Sequence, residues 1–180
     1  MKKLMIAAAI VCAAALSQAA TVNWSVSGVK ADGGADPTAG WSVMAFYTEV
    51  GAGSDAIVAA INGKTAASLA FESDKTLSVS MHKGKVNAHD ATAAGITDTS
   101  KNYDFYFVVF NDADATKATK YAMVSALNKE YSGVDGKYAP SGDFSTLPTW
   151  QNIATGVPEP TSGLLMLLGV AGLALRRRRA

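Results

Sequence analysis

Tyr103 to Phe110 (YDFYFVVF) restricts the fold more than any other segment, because seven of its eight residues are aromatic or β-branched. Such side chains fit a pleated, packed surface and lose rotamer freedom in a helix. The segment predicts a strand, and the pattern around it predicts a β-rich domain. Val22, Trp24 and Val26 alternate with polar residues, as do Leu77, Val79 and Met81, the period of two of a strand with one buried face. Trp41 to Thr48 is apolar on both faces and reads as a central strand. Tyr121 to Leu127 follows YDFYFVVF after a polar loop, as a hairpin partner would, and Thr149 to Ile153 allows a last short strand. One helix is expected, capped by Ser54, presenting Ile57, Val58 and Ile61 on one face and stopped by Asn62-Gly63. Ala31 to Pro37 is a loop by composition, and Gly133 to Pro148 reads as irregular. Several short strands between Gly, Asp and Ser loops predict a mainly β fold, a small β-sandwich-like domain with one short helix.

The two ends obey different rules. Lys2 and Lys3 precede an apolar run from Leu4 to Leu16, and Ser17-Gln18-Ala19 offers small residues for a signal peptidase. Residues 1–19 therefore read as a signal peptide cleaved before Ala20. Cys12, the single cysteine, lies inside it, so the mature chain has no thiol chemistry. At the other end, Val157, Pro158, Glu159 and Pro160 lead into an apolar run from Gly163 to Leu175, followed by Arg176, Arg177, Arg178 and Arg179. Thirteen helical residues span roughly 20 Å against a hydrocarbon core of about 30 Å. Snorkelling arginines and local thinning of the bilayer make up the difference. A basic cluster beside an apolar segment stays cytoplasmic, so the domain before it is expected across the membrane. Prolines at 158 and 160 keep the preceding segment extended and accessible.

Motif, apolar helix and basic cluster, in that order behind a signal peptide, resemble the PEP-CTERM sorting signal over residues 157–180. The resemblance implies secretion, retention by the tail and cutting near Pro-Glu-Pro by a membrane-embedded exosortase. It also implies a Gram-negative cell envelope, surface or matrix, often alongside exopolysaccharide. About the domain at residues 20–156 it implies nothing, since unrelated proteins share such tails.

Without its two ends, the chain keeps ten Lys and Arg against fourteen Asp and Glu, a net charge of about −4. A mildly acidic surface without basic patches argues against nucleic acid and anionic lipid as partners.

Chemistry-bearing residues are sparse. His82 and His89 lack the further ligands that a zinc site needs. His89-Asp90 has no nucleophile elbow to serve, and neighbours on a regular strand point to opposite faces. Asp104, with Asp112 or Asp114, could in principle form a glycosidase pair, but the preferred reading puts Asp104 at the solvent-facing start of its strand. Asp112 and Asp114 alternate as oxygen ligands of a weak calcium loop would, without the Gly and distal Glu of an EF-hand. Trp24, Trp41 and Trp150 can stack on sugar rings, but each falls in an expected strand, where core packing is the ordinary role. Trp150, flanked by Thr149, Gln151 and Asn152, is the best surface candidate.

These observations predict a non-enzymatic envelope or matrix protein, structural or adhesive, with no cofactor and no metal site. The alternative is a carbohydrate-binding module acting on exopolysaccharide. The two differ in one respect: a binding module sets at least two aromatics on one exposed face, and a structural domain buries them all.

Overall fold

The computed structural model describes residues 19–37, 40–77, 84–146 and 149–154. The expected signal segment up to Gln18, the sorting tail, His82, Val79 and Met81 lie outside these residues.

In chain order the elements are β1 (Ala20–Ser27), β2 (Ser42–Glu49), α1 (Asp55–Asn62), a 3-10 turn (Ala66–Ser68), β3 (Glu72–Thr76), β4 (Val86–Ala93), β5 (Tyr103–Phe110), β6 (Lys120–Lys129), β7 (Ser141–Asp143) and β8 (Gln151–Asn152). They form a five-stranded sheet, β3-β2-β5-β6-β8, and a three-stranded sheet, β4-β1-β7. The mainly β, sandwich-like expectation holds.

Every residue of β5 is buried, because each face of the strand is covered by something different. Tyr103, Phe105, Phe107 and Val109 point toward Val22, Trp24 and Val26 of the smaller sheet. Tyr106, Val108 and Phe110 point the other way, under Ile57 and Ile61 of α1. Period-two alternation thus feeds two separate cores, which explains why the segment reads as apolar throughout. Burying a Phe of this kind contributes about 1.5–3 kcal/mol of transfer free energy. The flanking strands pair antiparallel with β5, with Val43 opposite Val109 and Phe107 opposite Val124.

Among the described residues no helix is long and apolar enough to cross a membrane. Helix α1 starts after Ser54 as expected, but the Ser54 side chain makes no capping bond. Gly63 follows with φ −78°, and the left-handed residue is Lys64 at φ 58°. The helix stops at Asn62-Gly63 as expected, its last carbonyls accepting from the amides of Gly63, Lys64 and Thr65, while Lys64 Nζ reaches away to the Ala118 carbonyl at 2.5 Å.

Three strands went unseen in the sequence. β3 (ESDKT) is a polar edge strand held by its ladder to β2. β4 carries an alternation that slips phase: Val86 and Ala88, then Ala91 and Ala93, are buried. The slip is a β-bulge opposite Asn23, where two residues of β4 face one of β1. β7 lies inside the stretch expected to be irregular and runs parallel to β1. It fits because Gly142 has no side chain. A Cβ there would lie 2.7 Å from Phe107 and 2.9 Å from Val124.

Candidate functional site

One end of the five-stranded sheet gathers the starts of β2 and β6, the end of β5 and the two-residue β8, whose Asn152 lies opposite Lys120. Trp41 stands one residue before β2, and Trp150 one residue before β8. Neither is inside its strand, and that displacement frees both from the fully buried positions expected of them. The indoles are half-buried, with ring centres 5.2 Å apart and planes at 75°. Trp24, by contrast, lies within β1, 2% exposed and stacked on Phe107 at 5.6 Å. Core packing is complete for Trp24 and partial for Trp41 and Trp150, which pack against the edge of the same core.

The two indoles, Ala31, Asp32, Asn111 and Lys120 line an open cleft of about 230 Å³. Each wall is fixed by its own bonds. Trp150 Nε1 donates to the Lys30 carbonyl at 3.0 Å, and the Trp41 carbonyl accepts from the Leu77 amide at 2.8 Å. Asp32 rides on a tight loop in which Ala31 N–H donates to the Ala35 carbonyl, with a Lys30–Asp36 ion pair at its base. Gly33 and Gly34, at φ 96° and 88°, supply the left-handed backbone that this loop requires. Lys120, the first residue of β6, forms an ion pair with Asp32 across the rim. Asn111 Oδ1 accepts from the amides of Thr119 and Lys120, both at 3.0 Å, which holds the β5–β6 hairpin shut. The result is an apolar corner facing a paired cation and anion.

The carboxylates singled out in the sequence are placed elsewhere or occupied locally. Asp104 is 4% exposed, so it does not face solvent at the start of β5. Its Oδ2 accepts from Gly51 N–H at 3.0 Å and its Oδ1 from Asn128 N–H at 2.7 Å. The side chain ties the turn after β2 to a left-handed Asn128, φ 52°, in β6. Asp112 lies beyond the far end of β5, whose six steps from Asp104 to Phe110 already span roughly 20 Å. That separation is far beyond the 5–10 Å over which a glycosidase pair works.

Asp112 Oδ1 accepts from Asp114 N–H at 2.8 Å. Asp114 Oδ1 accepts from the Thr116 hydroxyl at 2.6 Å and the Thr116 amide at 3.0 Å. These bonds, the hydroxyl first, hold the Asp114 carboxyl below the usual carboxylate range. Asp112 and Asp114, the weak calcium-loop candidates, thus make the local bonds of acidic turn residues, the other reading that the sequence offered. Among the described residues no group of three or more His, Cys, Asp or Glu is placed to hold a metal ion. His89 and Asp90 sit at the bulge of β4 and are both exposed. Asp90 takes φ 53° and its amide donates to Asn23 Oδ1 at 2.7 Å, so these neighbours do not face opposite ways as regular pleating would require.

Sequence reasoning singled out Trp150 alone as a surface aromatic and missed its meeting with Trp41, Asp32 and Lys120. For Trp150 the polar neighbours Thr149, Gln151 and Asn152 were the available signal, and for Trp41 there was none. Nothing local paired Asp32 with Lys120.

The folded chain is described to Ala154, whose amide donates to Asn62 Oδ1 at 3.0 Å beside the end of α1. Directly beyond, residues 156–179 match a family model described as the PEP-CTERM protein-sorting motif. Val157, Pro158, Glu159, Pro160 and Arg176 to Arg179 all fall within the match. The motif marks an exported, cell-envelope-directed protein processed by an exosortase-type enzyme. Comparison with curated proteins and with solved structures returned no match.

Proposed function

We propose that this protein is a component of the cell surface or extracellular matrix, in which the sorting tail delivers a β-sandwich with a structural or adhesive role. The observation that carries this reading is the sorting motif at residues 156–179, which follows a mainly β domain of two sheets in the same chain. Before processing, the apolar run from Gly163 to Leu175 anchors the chain in the membrane, with Arg176 to Arg179 on the cytoplasmic side.

A second reading, a carbohydrate-binding module acting on exopolysaccharide, is supported by the Trp41–Trp150 pair. Two aromatics in one open cleft are what a binding module requires and a purely structural domain does not.

The test of delivery is the intact mass of the protein recovered from the envelope and medium of its native host. The expected mass runs from about Ala20 to the Pro-Glu-Pro motif, in the surface or medium fraction. A chain that retains Arg176 to Arg179 in every fraction would make the tail a permanent anchor, and the sorting reading would be withdrawn.

A further inference from the structure

The cleft has a chemical character more specific than its aromaticity. Two near-perpendicular indoles make a corner, one wall of which can take the C–H face of a flat ring while the other closes its end. Opposite the corner, the Lys120 ammonium and the Asp32 carboxylate face each other across the rim. An ammonium has three donors and a carboxylate about four lone-pair sites, so the pair keeps capacity for further hydrogen bonds after binding itself. A ligand suited to this arrangement has one apolar face and an edge of hydroxyls that both donate and accept. Its charge is also constrained. The rim is neutral as a pair, and the mature domain carries a net charge of about −4. An anionic sugar would meet Asp32 and an unfavourable field, whereas a neutral one replaces water without breaking the pair. The volume, about 230 Å³, is below the 300–1,000 Å³ of sites for larger ligands and suits one ring of a longer chain passing over an open rim. The walls are set before any ligand arrives. Trp150 is tethered to Lys30 and Asn111 is spent on its hairpin, so little ordering remains to oppose binding.

We infer that the cleft between Trp41 and Trp150 binds one neutral pyranose ring of a polysaccharide, stacked on the indoles and hydrogen-bonded at its hydroxyl edge by Asp32 and Lys120. This inference rests on the carbohydrate-binding reading and narrows it to a site and a charge class. Asp32, by its charge, selects against uronate polymers.

The experiment uses the full-length chain in a detergent without a sugar headgroup. Binding to dextran, laminarin, mannan and alginate is followed by affinity electrophoresis and tryptophan fluorescence. At least one of the three neutral polymers is expected to retard the protein and shift its emission, with alginate at least tenfold weaker. Trp150→Ala should weaken retardation at least tenfold, and Asp32→Asn, on an exposed loop, should weaken it several-fold with an unchanged melting temperature. If Trp150→Ala fails to fold, Asp32→Asn and Lys120→Met carry the test alone. Retention of alginate over the neutral polymers, or neutral binding indifferent to the cleft variants, overturns the assignment while leaving a carbohydrate-binding module. Absence of retardation by all four polymers overturns both.

Discussion

The five-stranded and three-stranded sheets enclose the same core but are specified in opposite ways. The larger is built on β5, whose eight residues are buried on both faces, between the small sheet on one side and α1 on the other. Its identity is a matter of composition, and any reader of hydrophobicity finds it. The smaller sheet has one clear strand, β1, flanked by a bulged β4 and a three-residue β7. Its identity is a matter of backbone geometry: a left-handed Asp90 in the bulge, and a glycine where β7 crosses Phe107. Dense apolar content tolerates small errors in local geometry, whereas short strands with few apolar contacts do not.

The largest test of this contrast is Phe107→Ala. Phe107 belongs to the large sheet yet stacks on Trp24 and lies against Gly142, so its loss opens a cavity between both sheets. A destabilisation of about 3–5 kcal/mol is expected in urea unfolding. Faster amide exchange in β1 and β7 as well as β5 is expected with it. Loss of protection confined to β5 would mean the sheets do not share a core in the way their packing indicates.

Asp104→Ala tests a buried carboxylate of the large sheet. It strands the amides of Gly51 and Asn128, at a cost of roughly 2–4 kcal/mol. Asp104→Asn keeps one acceptor and should cost about half as much. Equal losses in chemical unfolding would show that charge, not acceptor count, holds that end.

The tyrosines sharpen the comparison through pH. Tyr138 is fully buried beside β1, its hydroxyl donating to the Lys101 carbonyl at 2.7 Å, and burial pushes its phenol up to about 12. An unfolded phenol ionises near 10, so folding favours the neutral form. That contribution is complete below pH 10 and is lost as pH rises through about 12. Two pH units correspond to on the order of 2–3 kcal/mol. Alkaline melting curves of Tyr138→Phe should be flatter over that window than those of the parent, and identical slopes would remove Tyr138 as the cause. Asp143, at the end of β7, has the opposite sign: bonds from the Ser145 amide and then its hydroxyl lower its carboxyl, so its contribution fades as pH falls through the acid range.

Gly142→Ala is the smallest expected effect and the most local. The added methyl meets two side chains at under 3 Å, and overpacking of this kind costs roughly 1–3 kcal/mol. Exchange should accelerate across Ser141–Asp143 while β5 keeps its protection. A uniform change over the whole domain would deny the small sheet its separate sensitivity.

The same contrast governs what was legible. β1, β2, β5 and β6 were found because their side chains alternate or crowd within a few residues. β4 was lost to a one-residue phase slip, visible as Val86, Ala88, Ala91 and Ala93 only once the bulge is known. β3 and β7 carry too few apolar residues for any local signal. Asp104 was misplaced because an Asp at a strand start is ordinarily solvated. Here a turn from β2 and a residue of β6 supply two amides that make burial tolerable.

The sequence by itself determined the sorting address, the mild acidity of residues 20–157, the β-rich class and the dominant strand. These are written in the chain itself, and an exosortase-type enzyme reads the sorting motif as linear sequence. Only the tertiary structure decided that Trp41 and Trp150, more than a hundred residues apart, meet at one end of a sheet with Asp32 and Lys120 on the facing rim. The reason is strand register. Pairing Val43 with Val109 and Tyr121 with Gln151 brings four strand ends to one place, and that alignment is a property of the ladders between segments and of no segment alone.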